Sequence, residues 1–184
     1  MNSLSAKKGR LLISDPTIED PNFKRTVILL TEHNDSETIG FIINQATKVK
    51  LNQILPDFPK FDTPVYIGGP VEKNTLHFIH RLGEKIDKST ALGNGVFWSG
   101  NFETLKELIE MKQIKKDDIR FFIGYAGWGS GQLEHELKEQ SWFVTKNNAE
   151  LVFSNNQKLW RDYIKKMDDD YAIWSNMIDD PDLN

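Results

Sequence analysis

"IRFFIGYAGWGSGQLEHEL", Ile119 to Leu137, decides how the chain is read. Its first part, IRFFIGYAG at 119–127, is rich in aromatic and β-branched residues and reads as a buried strand. Its last part, GQLEHELKEQ when carried on to residue 140, reads as a helix. Between them Gly124, Gly127, Gly129 and Gly131 leave bare backbone just ahead of that helix. Three uses of such a turn compete. It cradles a phosphate, it holds a nucleophile, or it packs closely and presents Trp128.

The phosphate use fits poorly. A dinucleotide loop needs G-x-G-x-x-G, and these glycines fall as G-x-x-G-x-G-x-G. Glu134 and Glu136 occupy the positive start of the helix and oppose a bound anion. GGPVEKNT, at 68–75, resembles a phosphate loop faintly but lacks the glycine before its lysine. The nucleophile use needs G-x-S-x-G, and Ser130 stands instead in W-G-S-G-Q. No histidine is paired with it locally, so the plainer role for Ser130 is to help cap the helix. For packing, glycines here permit positive φ and close backbone approach. Trp128 then either lies flat on neighbouring backbone or stands exposed as an anchor, since tryptophan is enriched at binding hot spots. The candidate binding residues are Trp128, Gly129, Ser130, Gln132 and, from a distant segment, His80. A hydrolase with its site near the 124–131 glycines and His80 is the alternative.

Working outward, RLLIS at 10–14, TVILLTE at 26–32 and TIGFIIN at 38–44 read as strands, the last two as a hairpin. LNQILPDF at 51–58 suggests a short helix ended by Pro56. PVYIGGPV at 64–71 reads as a strand broken at Gly-Gly-Pro, and TLHFIHRL at 75–82 and GVFWSG at 95–100 as further strands. NFETLKELIEMK at 101–112 has helical spacing, with Asn101 as N-cap. SWFVT at 141–145 is a strand. NNQKLWRDYIKKM at 155–167 is an amphipathic helix, and YAIWSNMI at 171–178 one or two final helical turns. Hairpins mixed with helices favour an α+β domain over regular βαβ alternation. The length, 184 residues, suits a single domain over 1–184 with a flexible lead-in at 1–8.

Composition narrows the function. The chain has 23 Lys and Arg against 27 Asp and Glu, a net charge of −4. DNA affinity rests largely on basic contacts to phosphate, so direct nucleic-acid binding is disfavoured. No two consecutive helices fit a helix-turn-helix. Cysteine is absent, which removes disulfides and thiol chemistry and suits a reducing compartment. No secretory signal or membrane-length apolar run is present, and the expected location is the cytoplasm. His77 and His80 lie on opposite faces of a strand, so they do not pair as metal ligands. Neither metal nor cofactor is expected.

GRLLISDPTIEDPNFKRTVILLTEH, GFIIN, YIGGPV followed by FIHR, GYAGWGSGQLEHEL with Trp142, and the closing PDLN occur in the order typical of the YqgE/AlgH family. The chain closely resembles that family from about Gly9 to Asn184, and the GYAGW-G-GQLE block is highly specific. The resemblance implies a bacterial, cytosolic protein with a bifurcated β-sheet curled into a pseudo-barrel and flanked by helices. It also implies a transcriptional-regulator label, given to some members through a link to alginate production, and supplies no catalytic set. One departure is Gln45-Ala46, where the family often has Arg or Lys followed by Pro. The reading that results is a non-enzymatic regulator acting through an unknown protein partner or small ligand.

Overall fold

The computed structural model describes residues 4–167, and the turns expected at 171–178 lie outside them. The ten strands among the described residues are β1 (Arg10–Ser14), β2 (Val27–His33), β3 (Glu37–Ile42), β4 (Ala46–Lys50), β5 (Pro64–Ile67), β6 (Val71–His80), β7 (Thr90–Gly93), β8 (Val96–Trp98), β9 (Ile119–Gly129) and β10 (Trp142–Lys146). Helices α1 (Leu51–Ile54), α2 (Phe102–Glu110), α3 (Gln132–Lys138), α4 (Ala149–Val152) and α5 (Leu159–Lys165) flank them. The fold is α+β, built on one curled sheet ordered β10-β1-β2-β3-β9-β6-β8-β7, with β5 on β9 and β4 on β5.

The expected hairpin is β2–β3, with a bulge between Leu30 and Glu32. Asn101 caps α2, its side chain accepting the amide hydrogens of Glu103 and Thr104. The segment that decided the reading is the sheet's branch point. On one edge β9 pairs with β6. Its other edge is shared: residues 121–123 run parallel to β5, and residues 126–129 run antiparallel to β3. At the fork the backbones nearly touch. Gly124 has φ +66, and a Cβ there would lie 2.7 Å from the carbonyl oxygens of Gly69 and Val71. An L side chain is disfavoured on both counts.

Alternation along β9, together with the turn of its backbone at Gly124, separates three cores. Phe122 faces the barrel interior with Leu11, Leu29, Phe41 and Ile79, closed by Phe153, Leu159 and Trp160 of the C-terminal helical segment. Phe121 faces the layer under α1 and α2, with Leu51, Phe78, Leu105 and Ile109. Ala126 and Trp128 face a third cluster with Leu12, Ile28, Leu133 of α3 and Trp142.

The two ends of the sheet meet through side chains, and Asn94, just after β7, donates from Nδ2 to Asn147 O at 2.9 Å. Asn147, just after β10, donates from Nδ2 to the carbonyls of Gly9 (2.7 Å) and Leu92 of β7 (3.0 Å). Gly9 has φ +82, and a Cβ on it would collide with the Leu92 carbonyl. The C-terminal helices are pinned below. Trp160 Nε1 donates to Ser14 O at 2.9 Å. Arg120, 3% exposed, donates from Nη1 to Ile43 O (2.7 Å) and from Nη2 to Ser154 O (2.8 Å). Its guanidinium carbon lies 4.2 Å from the centre of the Tyr66 ring. Burial pulls its pKa down to about 10, so it stays protonated at neutral pH.

Candidate binding face at the end of the central strand

The supposed glycine turn is mostly strand. Gly127 and Gly129 lie in β9, paired with Ile39 and Glu37 of β3, and only Ser130 and Gly131 separate the strand from α3. Positive φ occurs at Gly124 and Gly131, not at Gly127 or Gly129. The expectation that Ser130 helps cap α3 is also corrected. Gly131 stands at the N-cap in the left-handed conformation, with no side-chain cap. Ser130 Oγ donates instead to Asp35 O at 2.7 Å, tying the turn to the β2–β3 turn. His33 and Glu134 approach to 3.7 Å across the same junction.

Trp128 is 3% exposed, because its position in the strand points it under α3. Its indole Nε1 donates to Glu136 Oε2 at 2.9 Å, and Trp142 Nε1 donates to the same oxygen at 2.7 Å. Phe23 stacks on Trp128 and meets Trp142 edge-on. Gln132 continues the network. Its Nε2 donates to Glu136 Oε1 (3.0 Å), and its Oε1 accepts the Gly129 amide hydrogen (3.1 Å). Glu136, expected only as an acid at the start of the helix, lies beyond its first turn and is the acceptor for both indoles. Its signal was an acid four places after Gln132 on a helix, beside two tryptophans in sequence.

The opposite face of the same strand end carries Tyr125, Gly127 and Gly129 in alternation. A Cβ on Gly127 would lie 3.2 Å from Tyr125 Cε2, so Gly127 leaves room for the tyrosine ring. A Cβ on Gly129 would meet nothing within 4 Å. Neither its φ nor its neighbours require a glycine there. Tyr125 also meets the His77 ring edge-on, at 6.0 Å and 84°. Burial first, and then the charges of Glu72 and Glu37, push the Tyr125 phenol up. Burial holds His77 below its ordinary range, partly offset by Glu72.

His80 is elsewhere. It pairs with Ile119, the first residue of β9, whereas Ser130 follows the last. The strand has 11 residues, and at about 3.3 Å each it spans roughly 35 Å. His80 is fully buried and stacked on Phe97. The Leu82 amide hydrogen bonds to Nδ1 at 3.2 Å, which assigns the proton to Nε2, within 2.9 Å of Ser89 Oγ and 3.0 Å of Ser99 O. Burial lowers its pKa, and the Ser99 bond offsets part of that shift. Trp128, Gly129, Ser130 and Gln132 thus gather at one end, without His80. Among the described residues no group of three His, Cys, Asp or Glu is placed to hold a metal. Nor is any helix among them long and apolar enough to cross a membrane.

Residues 11–172 match the model of the AlgH-like family. The chain belongs to that family. A UPF0301 protein of Cytophaga hutchinsonii is 40% identical over 179 residues, covering 96% of this chain and 98% of the relative. A UPF0301 protein of Chlorobaculum tepidum is 38% identical, covering 97% and 96%. Among solved structures, the AlgH protein of Pseudomonas aeruginosa matches with TM-score 0.70 and 28% identity over 90% of this chain and 91% of that one. A Corynebacterium diphtheriae protein shares the fold, with TM-score 0.77 and 23% identity over 95% and 94%.

Proposed function

We propose that this AlgH-like protein is a non-catalytic binding protein of the cytoplasm, with a regulatory role exercised through a protein partner and not through direct DNA contact. The partner contacts the face of β9 that ends at Gly129, together with Ser130 and Gln132. Trp128 serves from beneath, holding α3 in place through Glu136.

The observation that carries this reading is the bareness of Gly129. Glycine in a strand costs roughly 0.5–1 kcal/mol relative to alanine. Within a strand it marks a bulge, a tight bend or the close approach of a ligand or another backbone. Gly129 ends β9 just before the Ser130–Gly131 turn, its pairing with Glu37 shows no shift of register, and open space lies where a side chain would stand. The net charge of −4 and the lack of cysteine agree with a cytoplasmic partner other than nucleic acid. The hydrolase alternative gains nothing from an arrangement that puts Ser130 and His80 at opposite ends of β9.

The test is affinity capture from bacterial lysate with the parent and with Gly129→Val, beside a titration with promoter and random DNA across a salt series. A specific protein captured by the parent and lost by a folded Gly129→Val variant supports the reading. Tight, sequence-specific DNA binding at physiological salt contradicts it.

A further inference from the structure

The hairpin between β7 and β8 turns on Asn94-Gly95, and of the asparagines in the sequence only Asn94 is followed by glycine. Gly93 opposes Val96, so the loop has the two residues of a type I′ turn, with φ +52 at Asn94 and +78 at Gly95. Turn geometry accounts for the residue types but not for what they touch. Both residues are exposed, and a Cβ on Gly95 would find nothing within 4 Å. Among the described residues no hydrogen bond engages the Gly95 amide. The Asn94 side chain, by contrast, reaches the closure of the sheet, where its Nδ2 donates to Asn147 O at 2.9 Å. Asn147 in turn holds Gly9 and Leu92 through its own Nδ2. One side-chain amide thus lies between a solvent-facing backbone nitrogen and the joint at which the two ends of the sheet meet.

We propose that Asn94 is a modification site, where spontaneous deamidation loosens the closure of the sheet. The Gly95 amide nitrogen, after losing its proton to solvent base, attacks Asn94 Cγ. The N–Cγ bond forms, the Cγ–Nδ2 bond breaks, and Nδ2 leaves as ammonia after taking a proton from water. Water then opens the five-membered imide at one of its two carbonyls, giving aspartate or isoaspartate at position 94. Glycine favours the ring closure, because no Cβ crowds the attacking nitrogen and its backbone moves freely. Both products lack the donor to Asn147 O, and aspartate sets a carboxylate in its place. A carbonyl oxygen that loses its donor and gains a negative neighbour is destabilised twice over. Isoaspartate also adds a backbone carbon to a two-residue loop whose length sets the register of β7 on β8. The modified protein keeps its core and loses one tie between β7 and the end of β10.

The test incubates the native full chain in warm, mildly alkaline buffer and follows each asparagine by peptide mass spectrometry. The expected result is amide-to-acid conversion that appears first at Asn94, as a mixture of aspartate and isoaspartate. Gly95→Ala, which crowds the attacking nitrogen, slows it several-fold. A second arm reads the consequence by amide hydrogen exchange. Asn94→Asp reproduces one product, and Asn94→Gly removes the donor without adding charge. Exchange should quicken at Leu92, Asn147 and Gly9 in both, more in Asn94→Asp, and stay at the parent rate in α2. Conversion first at another asparagine, conversion of Asn94 only when the chain is unfolded in urea, a product free of isoaspartate, or an undiminished rate in Gly95→Ala each overturn the modification site. Exchange in Asn94→Asp that matches the parent at Leu92 and Asn147, or rises uniformly, overturns its link to the closure of the sheet.

Discussion

Trp128 and Trp142 meet edge-to-face, at 5.9 Å and 84°, and donate their indole hydrogens to one oxygen of Glu136. Trp128 is the last residue but one of β9 and Trp142 opens β10, so a single carboxylate on α3 fixes the helix to both. A half-buried carboxylate with three donors is stable where it sits. Its loss strands two indole N–H groups in an apolar cluster.

Glu136→Ala is accordingly expected to cost about 2 kcal/mol, the scale of buried donors left without acceptors. Glu136→Gln keeps an oxygen for the indoles and should cost less than half as much. Urea unfolding followed by tryptophan fluorescence measures both. An equal cost for the two variants would show that the hydrogen bonds are not what Glu136 contributes.

Arg120 joins β9 to the end of β3 and to the loop between α4 and α5. Lysine cannot span both carbonyls or stack on Tyr66. Arg120→Lys should lose about 1.5–3 kcal/mol, the range for one hydrogen bond to a charged group. Amide exchange should rise in α4 and α5 first, with α2 unaffected. A uniform rise would place the anchor's effect elsewhere.

His80 gives a pH signature with a definite sign. Its folded pKa lies below the ordinary 6.5 because burial disfavours the charged ring. Below about pH 6.5 the unfolded chain takes up this proton before the folded one does. Stability is therefore complete above that pH and falls as pH drops through it. His77 is shifted in the same direction and adds to the slope. Unfolding free energies measured at intervals from pH 7.5 to 5 should decline toward acid, and His80→Gln should flatten the decline by up to one proton. An unchanged slope in the variant would mean that His80 titrates normally.

The fold was legible wherever local pattern and topology agree. The β2–β3 hairpin and the Asn101 cap are written in turn residues and periodicity. Strand β4 was not, because ATKVK is mostly exposed and has no apolar face to signal it. Strand β7 has four residues, two of them exposed. The 124–131 segment misled because glycines suggest a turn, whereas β9 continues through them on pairing with β3. The face that each β9 side chain takes depends on the turn of the backbone at Gly124, which no periodicity reveals.

The central claim is that the bare backbone at the end of β9 serves a partner and not the fold. The direct measurement is the denaturant unfolding free energy of Gly129→Ala, with Gly124→Ala as the control. The account expects Gly129→Ala to match the parent or to gain roughly 0.4–1 kcal/mol, since alanine fits the open, extended site and restricts the unfolded chain. Gly124→Ala, at φ +66 against two carbonyls, should lose more than about 1 kcal/mol. A comparable loss at Gly129 would show that the fold itself needs that glycine, and would contradict the account.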